Sequence, residues 1–282
     1  MAFQTVLYEK LDKVAKITLN RPEVRNAESQ TMSREWQEAF KMAEADPEVR
    51  VIVLAGAGPD FSSGHDMGTP QARAEMEENP PQPGLQWPMD MEWGRWLNGA
   101  MYVRDIWKPT IAQVQGHCIM GGLILATMCD LIIASEDATF QDMGVRFGVP
   151  AVEYFSHPWD MGTRKAKEFL FTGDPITAQE AMQIGMVNRV VAREKLEEET
   201  MNLAKRIALG HPFALRVVKM ACNATQDIQG FKQSMLPQFL LHQMGHAHAR
   251  EVPDYMPARA PREKGGSVKD LIRSRDRAYE NK

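Results

Sequence analysis

The stretch Gln115–Asp130, QGHCIMGGLILATMCD, decides how the rest of the chain is read. It leaves an apolar strand, turns at Gly116, meets the adjacent glycines Gly121 and Gly122, and continues as an unbroken apolar run. Paired glycines ahead of such a run indicate a strand-to-helix turn where the backbone passes close to another group with no side chain between. A helix beginning at Gly121 turns unsatisfied N–H groups toward that neighbour, a disposition suited to a developing oxyanion. A tight buried turn without chemistry explains the same glycines, and on this stretch alone both readings stand.

Outward from there, strands and helices alternate. Thr110–Val114 precedes the turn and Leu131–Ala134 follows the helix. Val51–Leu54 has no polar alternation, the mark of a strand covered on both faces. Thr5–Tyr8 and Val14–Leu19 read as β segments around a polar turn, and Met32, Trp36, Ala39, Phe40 and Ala43 recur at helical spacing over residues 31–45. Such alternation predicts an α/β fold with parallel, helix-covered sheets. A short strand at 138–142 and a helix at about 160–171 follow. Thr177-Ala-Gln-Glu180 is a capping box, Gly185 suits a left-handed cap, and 186–191 is a further strand. From Arg193 the chain is nearly all helix, broken at Gly210-His211-Pro212 and at Pro237.

Between Pro70 and Pro109 the pattern lapses. Pro80, Pro81, Pro83 and Pro88 exclude regular helix up to about Met89, while Trp93–Trp107 can form one. The tryptophans here fit a lid over a cavity or a loop packed on the body. Beyond Glu251 the tail is polar and proline-containing, with helical pattern returning at Val268–Ala278.

Composition narrows the function classes. The 282 residues are 44% hydrophobic and 25% charged, ordinary for a globular enzyme. A net charge of −4 without a basic run argues against nucleic acid as a partner. Cys118, Cys129 and Cys222 form no C-x-x-C pair and suit a reducing compartment. No signal peptide and no membrane-length apolar run is evident, so a cytoplasmic protein is expected. His242, His246 and His248 form an H-x-x-x-H-x-H set, but the segment has no acidic partner, so no native metal site is expected there.

A second stretch, Val51–Met67, reads VIVLAGAGPDFSSGHDM: a buried strand, a glycine-bearing loop, then Phe-Ser-Ser-Gly-His-Asp. Together with the Gly121 turn it resembles the signature of the enoyl-CoA hydratase/isomerase (crotonase) family. Asn20-Arg21-Pro22 with Asn26-Ala27, Cys129–Ala134, and Thr172-Gly173 leading to Ala178, Ala181, Gly185, Val187 and Asn188 extend the similarity over about residues 5–220. The resemblance implies a crotonase ββα spiral core with an acyl-CoA site over residues 1–195. It implies a C-terminal helical region, 196–282, used for trimerisation, with a homotrimer or a dimer of trimers as the assembly. It also implies an acyl-CoA substrate and no cofactor beyond that coenzyme A. Two backbone N–H groups, those of His65 and Gly121, would hold the thioester oxygen. Arg25 would meet the phosphates, and the peptide groups of Ser63 and Met67 the adenine. Ala27, Gly64, Asp66, Met120 and Gly144 complete the substrate-binding set. The His65 imidazole is taken as a loop histidine placed by sterics, since an acid–base role needs a partner.

The two glutamates of the family's hydratases are missing: their positions hold Ile124 and Gly144. Neither side chain can move a proton, so hydration at those positions is excluded. Asp142 and Glu153 are the substitute acid–base candidates, with His157 and Asp160 nearby; the plainer reading of each is a surface, solvated or capping group. Ser62-x-Gly64-His65-Asp66 and Gly148-Val149-Pro150 resemble a decarboxylase subgroup, although the tyrosine it carries after that proline is Ala151 here, with Tyr154 three positions on. Thr139-Phe140-Gln141-Asp142 is shared with a branch that hydrolyses β-diketones. An enolate-forming lyase or decarboxylase, a C–C hydrolase and a catalytically inactive acyl-CoA binder all remain.

Overall fold

The computed structural model describes residues 3–252 together with Asp276, Arg277 and Tyr279. Its strands are β1 (Val6–Leu11), β2 (Val14–Leu19), β3 (Val51–Gly56), β4 (Thr110–Val114), β5 (His117–Ile119), β6 (Leu131–Ser135), β7 (Thr139–Gln141), β8 (Ile176–Thr177) and β9 (Arg189–Val191). The larger sheet has the order β1-β2-β3-β4-β6-β9; β1 and β2 pair antiparallel and the remaining pairs are parallel. β5, β7 and β8 form a second, smaller sheet. The helices are α1 (Gln30–Ala45), α2 (Pro70–Glu78), α3 (Gln86–Glu92), α4 (Asn98–Asp105), α5 (Gly121–Thr127), α6 (His157–Met161), α7 (Thr163–Thr172), α8 (Ala178–Gln183), α9 (Leu196–Ile207), α10 (Pro212–Ile228) and α11 (Phe231–Glu251).

The unalternating run of β3 is explained by its two covers. Ile52 and Leu54 face the main core with Trp36 and Phe40 of α1 and the apolar residues of α5. Val51 and Val53 face a second core closed by Leu196, Met201 and Ala204 of α9. Each such side chain contributes about 1.5–3 kcal/mol by leaving water. The boundary placed at residue 195 therefore falls between the sheet and the helix that covers it.

The second sheet is what brings the site together. Residues 61–65 run alongside β5 as an extra edge: Phe61 N–H donates to the Gln115 carbonyl (2.7 Å), Ser62 N–H to His117 (3.0 Å), and Ile119 N–H back to Ser62 (3.0 Å). A parallel bridge then joins His65 to Glu28, just ahead of α1. Buried Asn26 fixes the other side, its amide donating to the carbonyls of Ala57, Asp60 and Phe61.

Three expectations need correction. The 70–109 insertion is mostly helical despite its prolines, because Pro70 opens α2 and Pro88 lies in the first turn of α3, where no N–H is needed. A π-helical turn, Trp93–Leu97, links α3 to α4. Pro237 lies inside α11, and the break falls instead at Gly230, whose φ of 103° favours glycine. The single helix at 160–171 is two, α6 and α7, divided at Gly162 (φ 74°). The expected helix at 268–278 lies almost wholly outside the described residues. Among the described residues no helix is long and apolar enough to cross a membrane.

Candidate functional site

The Gly121 turn is tight because another backbone crosses it. A Cβ on Gly121 would lie 2.7 Å from the His65 ring and 3.3 Å from the His65 backbone nitrogen. A Cβ on Gly64 would lie 2.7 Å from the Ile119 carbonyl oxygen and 3.1 Å from the Gly121 nitrogen. Met120, just before the helix, has φ 52° and ψ −114°, a strained conformation for a residue with a side chain. Its N–H is tied to Gln141 (2.9 Å) and its sulfur accepts from Met143 N–H (3.1 Å). This packing sets the His65 and Gly121 N–H groups in one corner. Among the described residues neither has a protein acceptor.

Side chains from distant segments surround that corner. His65 Nε2 lies 3.2 Å from Glu153 Oε2, and His65 Nδ1 lies 3.6 Å from Glu28 Oε2, an ion-pair distance too long for a hydrogen bond. Glu28 Oε1 accepts from the Trp36 indole (2.7 Å). The Trp96 ring stacks on the imidazole with centroids 3.7 Å apart. Burial opposes a charge on His65, but the two carboxylates outweigh it, Glu153 first, and lift its pKa to about 10. Burial would likewise raise Glu153, but His65 and His242 outweigh it and hold the carboxyl well below the usual range. His65 Nδ1 and Glu28 Oε2 are buried and lack hydrogen-bond partners among the described residues. Buried polar atoms are rarely left so without a reason.

The web continues into α11. Glu153 Oε1 lies 3.4 Å from His242 Nε2, and His242 Nδ1–H donates to the Ala151 carbonyl (2.6 Å). Beyond it stand Glu92, at the end of α3, and His246. Burial, followed by repulsion from Glu153, pushes Glu92 up to about 7. Burial works against a charge on His242, but Glu153 wins and raises its pKa.

The sequence candidates thus separate. Glu153 meets His65, and the imidazole, expected to be placed by sterics, has two carboxylate neighbours instead. Asp142 is not a surface strand-end group: it is fully buried, accepts from Gly144 N–H (2.9 Å) and Val152 N–H (3.1 Å), and lies 3.2 Å from His157. It ties down the loop that delivers Glu153. Asp160 is half-buried, its carboxylate accepting from the Ser156 hydroxyl, and desolvation raises it to about 6. Asp66 pins its own loop through Arg21 (2.8 Å) and Thr69. Arg25 is exposed beside Ser63, whose N–H donates to the Arg25 carbonyl (2.9 Å), and its guanidinium lies 3.5 Å from Asp60. Ala27 is buried, its carbonyl accepting from Arg21, while Met67 is partly exposed. Ile124 is 1% exposed within the core, and Gly144 has no room for a side chain, since a Cβ would sit 3.0 Å from the Val149 carbonyl oxygen and from the Ala151 Cα. Sequence reasoning missed Glu28, Glu92 and the link to His242, and reached Trp96 only as one of the insertion's tryptophans that fit a lid. Of these only His242 carried a signal, its spacing from His246, and the acidic group absent from that segment is supplied by Glu92.

Residues 9–256 match the family model for enoyl-CoA hydratase/isomerase. The chain is 42% identical over 264 residues to a Mycobacterium tuberculosis protein named "Putative enoyl-CoA hydratase EchA13", with 89% of this chain and 83% of that one covered. It is similar to the crystal structure of a "probable enoyl-CoA hydratase" from Mycobacterium smegmatis (45% identity, TM-score 0.81, 86% of this chain and 95% of that one). It is also similar to the crystal structure of an enoyl-CoA hydratase/isomerase from Xanthobacter autotrophicus Py2 (33% identity, TM-score 0.86, 98% and 99% covered).

Proposed function

From the premise that this chain belongs to the enoyl-CoA hydratase/isomerase family, we propose that it is an acyl-CoA enzyme of lyase type, which forms a thioester enolate and reprotonates it. The thioester oxygen sits between the N–H groups of His65 and Gly121. His65, kept as an imidazolium by Glu153 and Glu28, is the proton donor. The observation that carries this reading is His65 Nδ1: buried, without an acceptor among the described residues, and on the side of the ring that meets Gly121.

The step balances on an α-carboxyl thioester. The Cα–carboxylate bond breaks, carbon dioxide leaves, and its bonding pair becomes the enolate, whose oxygen is held by the two N–H groups. The proton on His65 Nδ1 then passes to Cα, and water restores it. A donor of this kind needs no carboxylate at the hydratase positions, in keeping with Ile124 in the core and a crowded Gly144. Arg25 and the peptide groups of Ser63 and Met67 would hold the coenzyme. Exposed Phe213, Val217, Val218, Met220, Leu240, Leu241 and Met244 on α10 and α11 support self-association through the C-terminal helices.

The test is mass spectrometry of malonyl-type, enoyl- and β-keto thioesters turned over in D2O. Loss of carbon dioxide with one deuteron gained at Cα is expected from the malonyl-type substrate. Water addition to the enoyl thioester would contradict the proposal. Carbon–carbon hydrolysis of the β-keto compound would move the assignment to a hydrolase in which His65 acts as a base. Binding without turnover of any thioester would make the chain a binding protein.

A further inference from the structure

We propose that Glu92, His242 and His246 form a binding site for a divalent transition-metal ion, zinc by preference. The two histidines stand one turn apart on α11, and Glu92 reaches them from the end of α3. His242 and His246 approach through their Nε2 atoms at 2.9 Å; Glu92 Oε1 lies 3.4 Å from His246 Nε2, and Glu92 Oε2 lies 3.6 Å from His242 Nε2. Ligands about 2.0–2.1 Å from a tetrahedral zinc stand about 3.3 Å apart. With one ligand atom taken from each residue, the three atoms lie within 4.8 Å of one another, so one ion can touch all three groups after a small rotation of the Glu92 carboxylate.

The surroundings match what a metal-binding imidazole needs. The Nδ1–H of His242 is committed to the Ala151 carbonyl, which directs Nε2 and its lone pair at the cluster. That orientation is set by packing: a Cβ on Gly245 would lie 3.1–3.2 Å from Pro150, Gly148 and Val149, so α11 is seated hard against this loop. Glu92 accepts a hydrogen bond from Gln243, which orients the carboxylate. Glu92 and His242 are buried and His246 is half-buried, leaving one open side. Two imidazole nitrogens and one carboxylate oxygen are a zinc set, whereas magnesium and calcium take oxygen ligands.

The site adjoins the thioester corner without belonging to it. Glu153 lies between them, one oxygen 3.4 Å from His242 and the other 3.2 Å from His65. The ion would pin α11 to α3, the helix that leads into the turn carrying Trp96. The third histidine of the sequence motif, His248, is exposed and lies outside the cluster. It serves as an internal control.

The experiment uses the full-length chain purified without a histidine tag, stripped with chelator, and titrated with Zn2+ and with Co2+. One equivalent of zinc should bind by elemental analysis and raise the melting temperature, and Co2+ should give the visible d–d bands of a four-coordinate site. Glu92→Gln and His246→Ala should weaken binding by more than about 100-fold, and His248→Ala should leave it unchanged. Circular dichroism checks that each variant is folded. Folded wild-type protein that takes up neither ion would overturn the assignment. So would metal that stays bound in both Glu92→Gln and His246→Ala.

Discussion

The corner beside Gly121 is made of two unlike halves. One is backbone: the Gly64-His65 and Met120-Gly121 turns, pressed together so closely that no Cβ fits between them. The other is side chain: Glu28, Trp96, Glu153 and, behind them, His242, drawn from segments far apart in sequence. The backbone half can bind a thioester oxygen and suits every reaction that passes through an enolate. On the proposed mechanism the side-chain half determines what happens to the enolate. Family membership is thus legible in the first half, and the proposed reaction type rests on the second.

The largest effect should come from breaking the second half alone. Glu153→Gln removes the carboxylate that holds His65 cationic, and turnover should fall about 10²–10⁴-fold. Thioester affinity, measured by calorimetry, should change little. Equal losses in affinity and turnover would show that the halves are not separable. Gly121→Ala attacks the first half: the new methyl group meets the imidazole at 2.7 Å. Loss of one oxyanion donor should lower kcat about 10²–10³-fold, with the far-ultraviolet spectrum retained.

The pH profile sharpens the distinction. With His65 as the proposed proton donor, kcat/KM should hold through neutral pH and decline as pH rises through about 10. Glu28→Gln removes one supporting charge and should move that decline to lower pH. A profile that instead rises as pH approaches about 10 would make His65 a base.

Smaller effects concern the empty hydratase positions and the stacked ring. Gly144→Glu should lower stability by about 1–3 kcal/mol in denaturant unfolding, since its side chain must displace the Val149–Ala151 backbone. It should not create hydratase activity. Trp96→Phe keeps a ring over His65 and should change kcat/KM by a free energy of about 1 kcal/mol or less.

The same division explains what could be read from the sequence. The glycine turn, the unalternating β3 run and the capping box at Thr177 were legible because each states a local backbone requirement; the box forms as expected, with Thr177 and Glu180 bonded both ways. The His65 web was not legible. Glu28 reaches His65 only through a bridge between two loops, and His242 meets Ala151 across 91 residues of sequence. Asp142 stands as an acid–base candidate with a surface group as the plainer alternative, because carboxylates are usually exposed; two backbone N–H groups make its burial tolerable instead. Of the insertion's prolines, Pro80, Pro81 and Pro83 lie in the non-helical 79–85, and only Pro88 departs from expectation, because in a helix's first turn a missing N–H removes no bond.

The central claim is that two main-chain amides polarise a thioester carbonyl beside a cationic histidine. It is tested most directly by the 13C NMR shift of a carbonyl-labelled acyl-CoA bound to the protein. The carbonyl resonance should move downfield on binding, and Gly121→Ala should abolish the movement. A bound thioester whose carbonyl keeps its free-solution shift would contradict it.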